Sequence, residues 1–387
     1  MHTYQFENAT LISEKGIVKN PIVSVDAGKI YGIQPFDEEI QQRIHEKIVF
    51  SEPVHIVPGF IDVHIHGVAG ADVMDGTVEA IETMKESLPK EGTTSFLATT
   101  ITQSNSEKIN ALQAVKACNE KNTAGAEIVG VHLEGPFISK KRAGAQPVEY
   151  IKQASVATFN DYQRVSGGLI KLVTMAPEED KNGDLIKELR KQNVIASIGH
   201  SDATYEQILD AINDGMNHVT HLFNGMRGAH HRDIGVAGGA MLHDELMTEI
   251  IVDGIHVSPP MVKLAYKTKG NDRMIIVTDS MRAKGLEEGE YSLAGQKVFV
   301  SKDRAVLADG TLAGSIVKMN EAVKNMMDFT GCSLREAVQM ASFNPAKQLG
   351  IDDRKGSLME GKDADFCVLS EDLSVVQTYV MGQKVVG

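Results

Sequence analysis

Cysteine is scarce in these 387 residues: Cys118, Cys332 and Cys367 stand far apart and outside any paired motif. That spacing argues for reduced thiols and against a disulfide framework of the secreted kind. No apolar stretch is long enough to cross a bilayer, and Met1 to Asn8 lacks a basic segment followed by an apolar run. Neither a membrane span nor a signal peptide is therefore expected. Positive charge is short as well, with 39 Lys and Arg against 52 Asp and Glu and a net charge of −13. This balance disfavours nucleic acid or an anionic membrane as a partner. An anionic small molecule remains open, because a local basic pocket suffices to bind one. Low-complexity linkers and internal repeats are missing too. A cytoplasmic enzyme acting on a small molecule fits these absences.

What is present is a 42% hydrophobic chain with enough apolar residues for an extensive core. Its middle alternates strand-like and helix-like segments. Strands are expected near residues 60–66, 94–100, 128–134, 170–176, 194–200, 219–223, 249–252 and 274–278. Helical patterns such as 77–90, 106–119, 185–191 and 204–213 fall between them. Eight βα units in order predict an α/β protein built on a (β/α)8 TIM barrel. The length exceeds the roughly 250 residues typical of that barrel, leaving room for a second domain. Both ends supply one: residues 6–12, 17–25 and 29–33 read as a meander around Glu14-Lys15-Gly16 and Asp26-Ala27-Gly28. Residues 364–369 and 375–386 read as further strands. Residues 1–57 and 346–387 are expected to pair into a small β-sandwich, with 58–345 as the barrel. The segment 291–314 reads as β-hairpins inserted after the last barrel strand.

The expected strand ends carry polar residues of one chemical type. His64 and His66, two apart on a strand, share a face, while Ile61, Val63 and Ile65 take the other. Glu134, His200, His221 and Asp279 end or follow four later strands. That is how a barrel of this kind gathers catalytic groups at one mouth. Imidazole and carboxylate without thiolate suit a divalent Zn, Fe, Co or Mn ion. Such an ion lowers the pKa of a bound water toward about 7. If two ions share the site, Glu134 is the candidate bridge, and Asp279 the group that accepts the water's proton and passes it to the leaving group. The alternative role for Asp279 is a helix N-cap. Ser201-Asp202 is expected to cap the helix that follows His200. His132 shares a face with Glu134 but lies deeper, as an interior residue, and His230 and His231 read as solvated loop residues.

The run Pro58-Gly59-Phe60-Ile61-Asp62-Val63-His64-Ile65-His66-Gly67 resembles the first-strand signature of the amidohydrolase superfamily. His132-Leu133-Glu134-Gly135-Pro136-Phe137, Gly199-His200-Ser201-Asp202-Ala203, His221-Leu222-Phe223-Asn224-Gly225-Met226, Asp253-Gly254-Ile255-His256 and Leu312-Ala313-Gly314-Ser315 are similar to the N-acetylglucosamine-6-phosphate deacetylases within it. The resemblance runs from about Val57 to Pro345. It implies hydrolysis of N-acetyl-D-glucosamine 6-phosphate to D-glucosamine 6-phosphate and acetate, in amino-sugar catabolism and cell-wall recycling. It also implies that His200, His221 and Glu134 hold one metal, and that His64, His66 and Asp279 help hold a second beside Glu134. One or two ions per subunit follow. Asn224 and Gly225 match residues near the phosphate, and Arg232 an arginine that clamps it and can reach across a homodimer. His256 matches a histidine that contacts the sugar or the acetamide oxygen. Ala145, Gln146 and Ala313 also fall at substrate positions, with Gln146 standing where some members have histidine.

Two competing readings lose on particular residues. Cyclic-amide hydrolases of the same superfamily usually bridge their metals with a carboxylated lysine at the end of the fourth strand. Here that strand ends Thr174-Met175-Ala176, with Lys171 near its start. A metal-free scaffold on the same fold would be expected to have shed ligands, and this chain keeps a full set.

Overall fold

A computed structural model describes residues 1–13, 16–36, 44–121 and 123–387. Glu14 and Lys15, in the first expected turn, lie outside the described residues. The central runs are buried along nearly all of their length, as a parallel sheet covered on both faces requires. They form eight parallel strands: β1 (Phe60–Ile65), β2 (Thr93–Thr100), β3 (Glu127–Glu134), β4 (Ile170–Met175), β5 (Ile195–Ile198), β6 (His218–Val219), β7 (Met247–Ile251) and β8 (Met274–Val277). Each pairs with the next in sequence order. Just past the ends of β8 and β1 the ring closes, with the Asp279 N–H donating to His64 O at 2.8 Å and His66 N–H to Ser280 O at 2.9 Å. Helices α1 (Val78–Ser87), α2 (Asn105–Lys121), α3 (Val156–Val165), α4 (Asp184–Lys191), α5 (Tyr205–Asp214), α6 (Gly235–Leu242), α7 (Pro259–Lys269) and α8 (Met319–Thr330) follow the eight strands in turn. The barrel is the expected one.

Local departures have local causes. The sixth strand stops at Val219, short of the expected Phe223, because His221 and Phe223 both adopt left-handed backbone, with φ of 30° and 79°. Helix α5 is capped by Thr204, whose side chain accepts from the Gln207 N–H, not by Ser201-Asp202. That frees Ser201 and Asp202 for contacts at the mouth. Asp279 caps no helix; its backbone N–H closes the barrel instead.

Strands His2–Ser13, Gly16–Lys19, Pro21–Asp26, Lys29–Pro35 and Glu46–Pro58 join Phe366–Ser370, Val375–Val380 and Gln383–Val386 in one sheet. It folds over its own core of Tyr4, Phe6, Leu11, Ile56, Phe366 and Tyr379. The meander is antiparallel as expected, except that His2–Ser13 runs parallel to Glu46–Pro58. That strand in turn pairs antiparallel with Phe366–Ser370, so sequence from both ends meets on it.

The hairpin insert stays separate from this sheet. Its strands Gly289–Leu293, Gln296–Ser301 and Arg304–Val306 form a three-stranded sheet of their own. Leu293, Val298, Val300 and Ala305 pack on Ile101, Met281, Ala283 and Ala313. The Gln103 and Gln296 amides donate to Ala294 O at 3.1 Å and Ala145 O at 2.6 Å, fastening the insert over the barrel mouth.

Candidate metal centre and substrate cavity

Three of the strand ends deliver their side chains through an abrupt turn. His200, His221 and Asp279 sit at φ of 47°, 30° and 47°, a region that side chains larger than glycine rarely occupy. Such backbone persists only where the surroundings hold it, and it clusters at functional sites. Behind Glu134, the buried Lys108 of α2 donates from Nζ to Glu134 O at 3.2 Å and Gly135 O at 2.9 Å. Gly135 itself has φ of 62°, and a Cβ there would meet Thr102 Oγ1 at 2.1 Å. The turn carrying the carboxylate is thus fixed from two sides.

Glu134 faces two groups of imidazoles. Its Oε1 lies 2.9 Å from His200 Nε2 and 3.3 Å from His221 Nε2, while its Oε2 lies 3.2 Å from His66 Nε2. Asp279 Oδ1 is 3.2 Å from His66 Nε2 and 3.4 Å from His64 Nε2. Two ligand sets open on the mouth, Glu134 with His200 and His221, and His64 with His66 and Asp279, the donor atoms of each within 4.8 Å of one another; a third such group, His64, His132 and Glu249, lies deeper and is taken up by hydrogen bonds. All six residues of the two mouth sets are buried.

The donors fit a divalent cation on two further counts. His64 Nε2 is buried and has no hydrogen-bond partner among the described residues. His200 Nε2 and His221 Nε2 are 3.1 Å apart, both facing one carboxylate oxygen, an arrangement that suits lone pairs directed at a common ion better than two N–H groups. Electrostatics agree. Burial works against a charged imidazole at His66, yet Asp279 and Glu134 outweigh it and lift its pKa to about 9. Burial likewise pushes Asp279 up, and His64, His66 and His221 pull it down to about 2. The cluster calls for positive charge, which an ion can supply in place of protons.

Beneath both sets lies a residue that the sequence reading missed. Glu249, fully buried in β7, accepts from His64 Nδ1 and His218 Nε2 at 3.0 Å each and from the His221 N–H at 3.2 Å. The available signal was a lone carboxylate inside the apolar run Met247–Ile251, read only as strand. Lys108 was missed in the same way, as an ordinary helix position. His132 is interior as expected, its ring nitrogens bonded to Val63 O at 3.2 Å and Thr174 Oγ1 at 2.7 Å.

Above the ligands opens a cavity of about 360 Å³. His66, Glu134, His200, His221 and Asp279 form its floor, and Ala145, Gln146, Asn224, Gly225 and His256 line its walls. Gln146 Oε1 accepts from the Thr102 N–H, which turns its amide nitrogen toward His200. Gly225, at φ of 58°, must be glycine because a Cβ would lie 2.9 Å from His200 Nδ1. His256 Nδ1 contacts Asp253 Oδ2 at 2.6 Å; burial lowers its pKa, but that carboxylate more than compensates and raises it above the ordinary imidazole value. Ala313 is buried beside the cavity, between the lining residues Leu312 and Gly314. Arg232 is not brought in. It is exposed, outside the lining of its own chain's cavity, with Nη1 2.6 Å from the His231 ring.

The Amidohydrolase family model matches residues 55–385. An N-acetylglucosamine-6-phosphate deacetylase of Bacillus subtilis (strain 168) is 46% identical over 385 residues, covering 97% of this chain and 95% of the relative. An N-acetylgalactosamine-6-phosphate deacetylase of Escherichia coli O157:H7 is 33% identical over 381 residues, covering 98% and 99%. The crystal structure of N-acetylglucosamine-6-phosphate deacetylase from Pasteurella multocida superimposes with a TM-score of 0.92 at 32% identity, covering 99% of each chain. With the family model spanning the barrel and most of the C-terminal strands, and relatives alike from end to end, this chain is a member of the amidohydrolase family.

Proposed function

We propose that this protein hydrolyses N-acetyl-D-glucosamine 6-phosphate to D-glucosamine 6-phosphate and acetate. The observation that carries the reading is the Glu134 carboxylate set between two histidine groups at the floor of a sugar-sized cavity, in a chain 46% identical to a deacetylase of that substrate. Two divalent ions are proposed, drawn from Zn, Fe, Co and Mn, one on Glu134, His200 and His221 and one on His64, His66 and Asp279 with Glu134 shared. Bound there, they supply Lewis acidity toward the acetamide carbonyl and lower the pKa of water toward about 7.

The chain's own groups do the rest. The Asp279 carboxylate takes the proton of the attacking water. It then delivers that proton to the amide nitrogen as the C–N bond breaks, so acetate and a free amine leave. His256, its Nδ1–H held by Asp253, is oriented to place its other ring nitrogen on the substrate. Asn224 and the Gly225 backbone approach the phosphate, while Ala145, Gln146 and Ala313 shape the sugar end. The exposure of Arg232 supports a role toward a second copy of the chain, its guanidinium gripping that copy's substrate phosphate in a homodimer. Unpaired, buried Cys118, Cys332 and Cys367 suit a cytoplasmic setting.

The test is acetate release from the 6-phosphates of N-acetylglucosamine and N-acetylgalactosamine, the unphosphorylated sugars and dihydroorotate, with metal counted on the same sample. Fastest turnover of N-acetylglucosamine 6-phosphate is expected. Preference for the galactosamine isomer would instead follow the Escherichia coli relative, and preference for dihydroorotate would discard the sugar assignment. Arg232→Ala should raise KM for the phosphorylated sugar about tenfold or more with little change in kcat. An unchanged preference for the phosphate would place that contact elsewhere.

A further inference from the structure

Glu249 belongs to neither ligand set, and the proposed chemistry does not use it. It is nonetheless fully buried where three donors converge on its two oxygens. An ionised carboxylate only accepts hydrogen bonds, so the ring nitrogens facing it, His64 Nδ1 and His218 Nε2, must both carry protons. For His64 this has a chemical consequence. A neutral ring with hydrogen on Nδ1 presents the lone pair of Nε2, and Nε2 is the buried atom without a hydrogen-bond partner, 3.4 Å from Asp279 Oδ1. The His221 N–H bond, made at a left-handed residue, ties the other ligand set to the same carboxylate, but through backbone and not through a ring.

We infer that Glu249 is a positioning residue for the second cation: by holding the proton of His64 on Nδ1 it makes Nε2 a ligand, and without it the set His64, His66 and Asp279 does not retain an ion. The inference rests on the two-ion reading above. Carboxylates that orient metal-bound histidines typically change metal affinity by about 10–100-fold when removed. The first set, Glu134, His200 and His221, keeps its ring contacts and holds its ion when Glu249 is altered.

The experiment is metal stoichiometry, and affinity by chelator competition, on the full-length protein loaded with Co²⁺ or Zn²⁺ and desalted. Glu249→Met keeps the volume and removes the acceptor. Glu249→Gln keeps one oxygen able to accept from His64. His218→Gln disturbs the same buried cluster but leaves the His64 to Glu249 contact. Wild type is expected to hold two ions per subunit, E249M one, and H218Q two. E249Q should show a smaller rise in the second Kd than E249M. Two ions in E249M at wild-type affinity would overturn the inference. So would equal loss in H218Q, since a disturbed core would then explain the result. A wild-type enzyme that never takes more than one ion would remove the two-ion reading and this inference with it, and is distinguishable by that count alone. Should E249M not fold, the ring ¹⁵N shifts of histidine in the loaded wild type decide: His64 bound through Nε2 with Nδ1 protonated supports the role, and binding through Nδ1 refutes it.

Discussion

Strand β3 carries a carboxylate at each end, Glu127 at the barrel floor and Glu134 at the mouth, and the two have opposite surroundings. Glu127 lies among permanent cations, Arg354 Nη2 at 2.5 Å and Lys355 Nζ at 2.8 Å, which also reach Asp363 at 2.6 and 3.2 Å. Lys355 further pairs with Asp365, tying the barrel floor to the strands of the chain's C-terminal part. Burial raises the Glu127 carboxyl, but Arg354 and Lys355 overcome it and hold the group ionised. Glu134 instead faces imidazoles, whose charge is optional, and two of their nitrogens, His64 Nε2 and His221 Nδ1, have no hydrogen-bond partner among the described residues. A carboxylate cluster whose charge is balanced by the chain is a fastener. One whose balance is left to removable protons is a socket for an ion.

The contrast can be broken at either end. The largest effect is expected from Asp279→Asn at the mouth: the fold and the ion on Glu134, His200 and His221 stay, while turnover drops by about 10²–10⁴-fold because the amide cannot shuttle a proton. Near-normal kcat in a metal-replete sample would remove Asp279 from that role. At the floor, Lys355→Met strands buried carboxylates and should cost about 3–5 kcal/mol of stability by denaturant unfolding. Its kcat and metal count should match wild type, and a lost ion would mean the two ends are not independent.

Stripping metal by chelation tests the socket directly. Restoring an ion to 100 times its Kd should add about 2.7 kcal/mol of stability, visible as a rise in Tm. No rise would mean that the cluster is satisfied by protons alone. The smallest effect sits beside the mouth, where Asp202 accepts from Arg142 at 2.8 Å, Arg227 at 3.2 Å and Lys141 at 3.3 Å. Hydrogen bonds from Arg227, with those of Arg142 and Lys141, hold its carboxyl well below the ordinary range. A depressed native pKa gives stability that is full above the unfolded value of about 3.9 and lost as pH falls through the native one. Asp202→Asn should cost about 1 kcal/mol or less at neutral pH, with the difference fading in acid. A difference that persists at low pH would show that the contacts are not ionic.

How legible this was in the sequence depends on the range of the information. Strands and helices of the barrel follow from local periodicity, and His64, His66, Glu134, His200, His221 and Asp279 announce themselves by standing at the ends of apolar runs. The cap of α5 was misplaced by three residues because Ser201 and Asp202 have the chemistry of caps but are engaged elsewhere, Ser201 with Glu178 at 2.7 Å. Glu249 and Lys108 were invisible for another reason. Their partners lie on other strands, and nothing near them in the sequence marks a buried charge as paired. The same holds for the parallel pairing of His2–Ser13 with Glu46–Pro58 and for the place of the hairpin insert, both of which are set by contacts distant in sequence.

The strand Glu46–Pro58 lies between His2–Ser13 on one side and Phe366–Ser370 on the other. During synthesis its second neighbour emerges only after the entire barrel has been made. Until then an early strand exposes an unsatisfied edge on the nascent chain, the kind of surface that chaperones cover and that recruits other strands when left bare. Closure of the small sheet is therefore a late event, and shortening the chain at Ser370 or before should show itself first in the yield of soluble protein, ahead of any change at the barrel mouth.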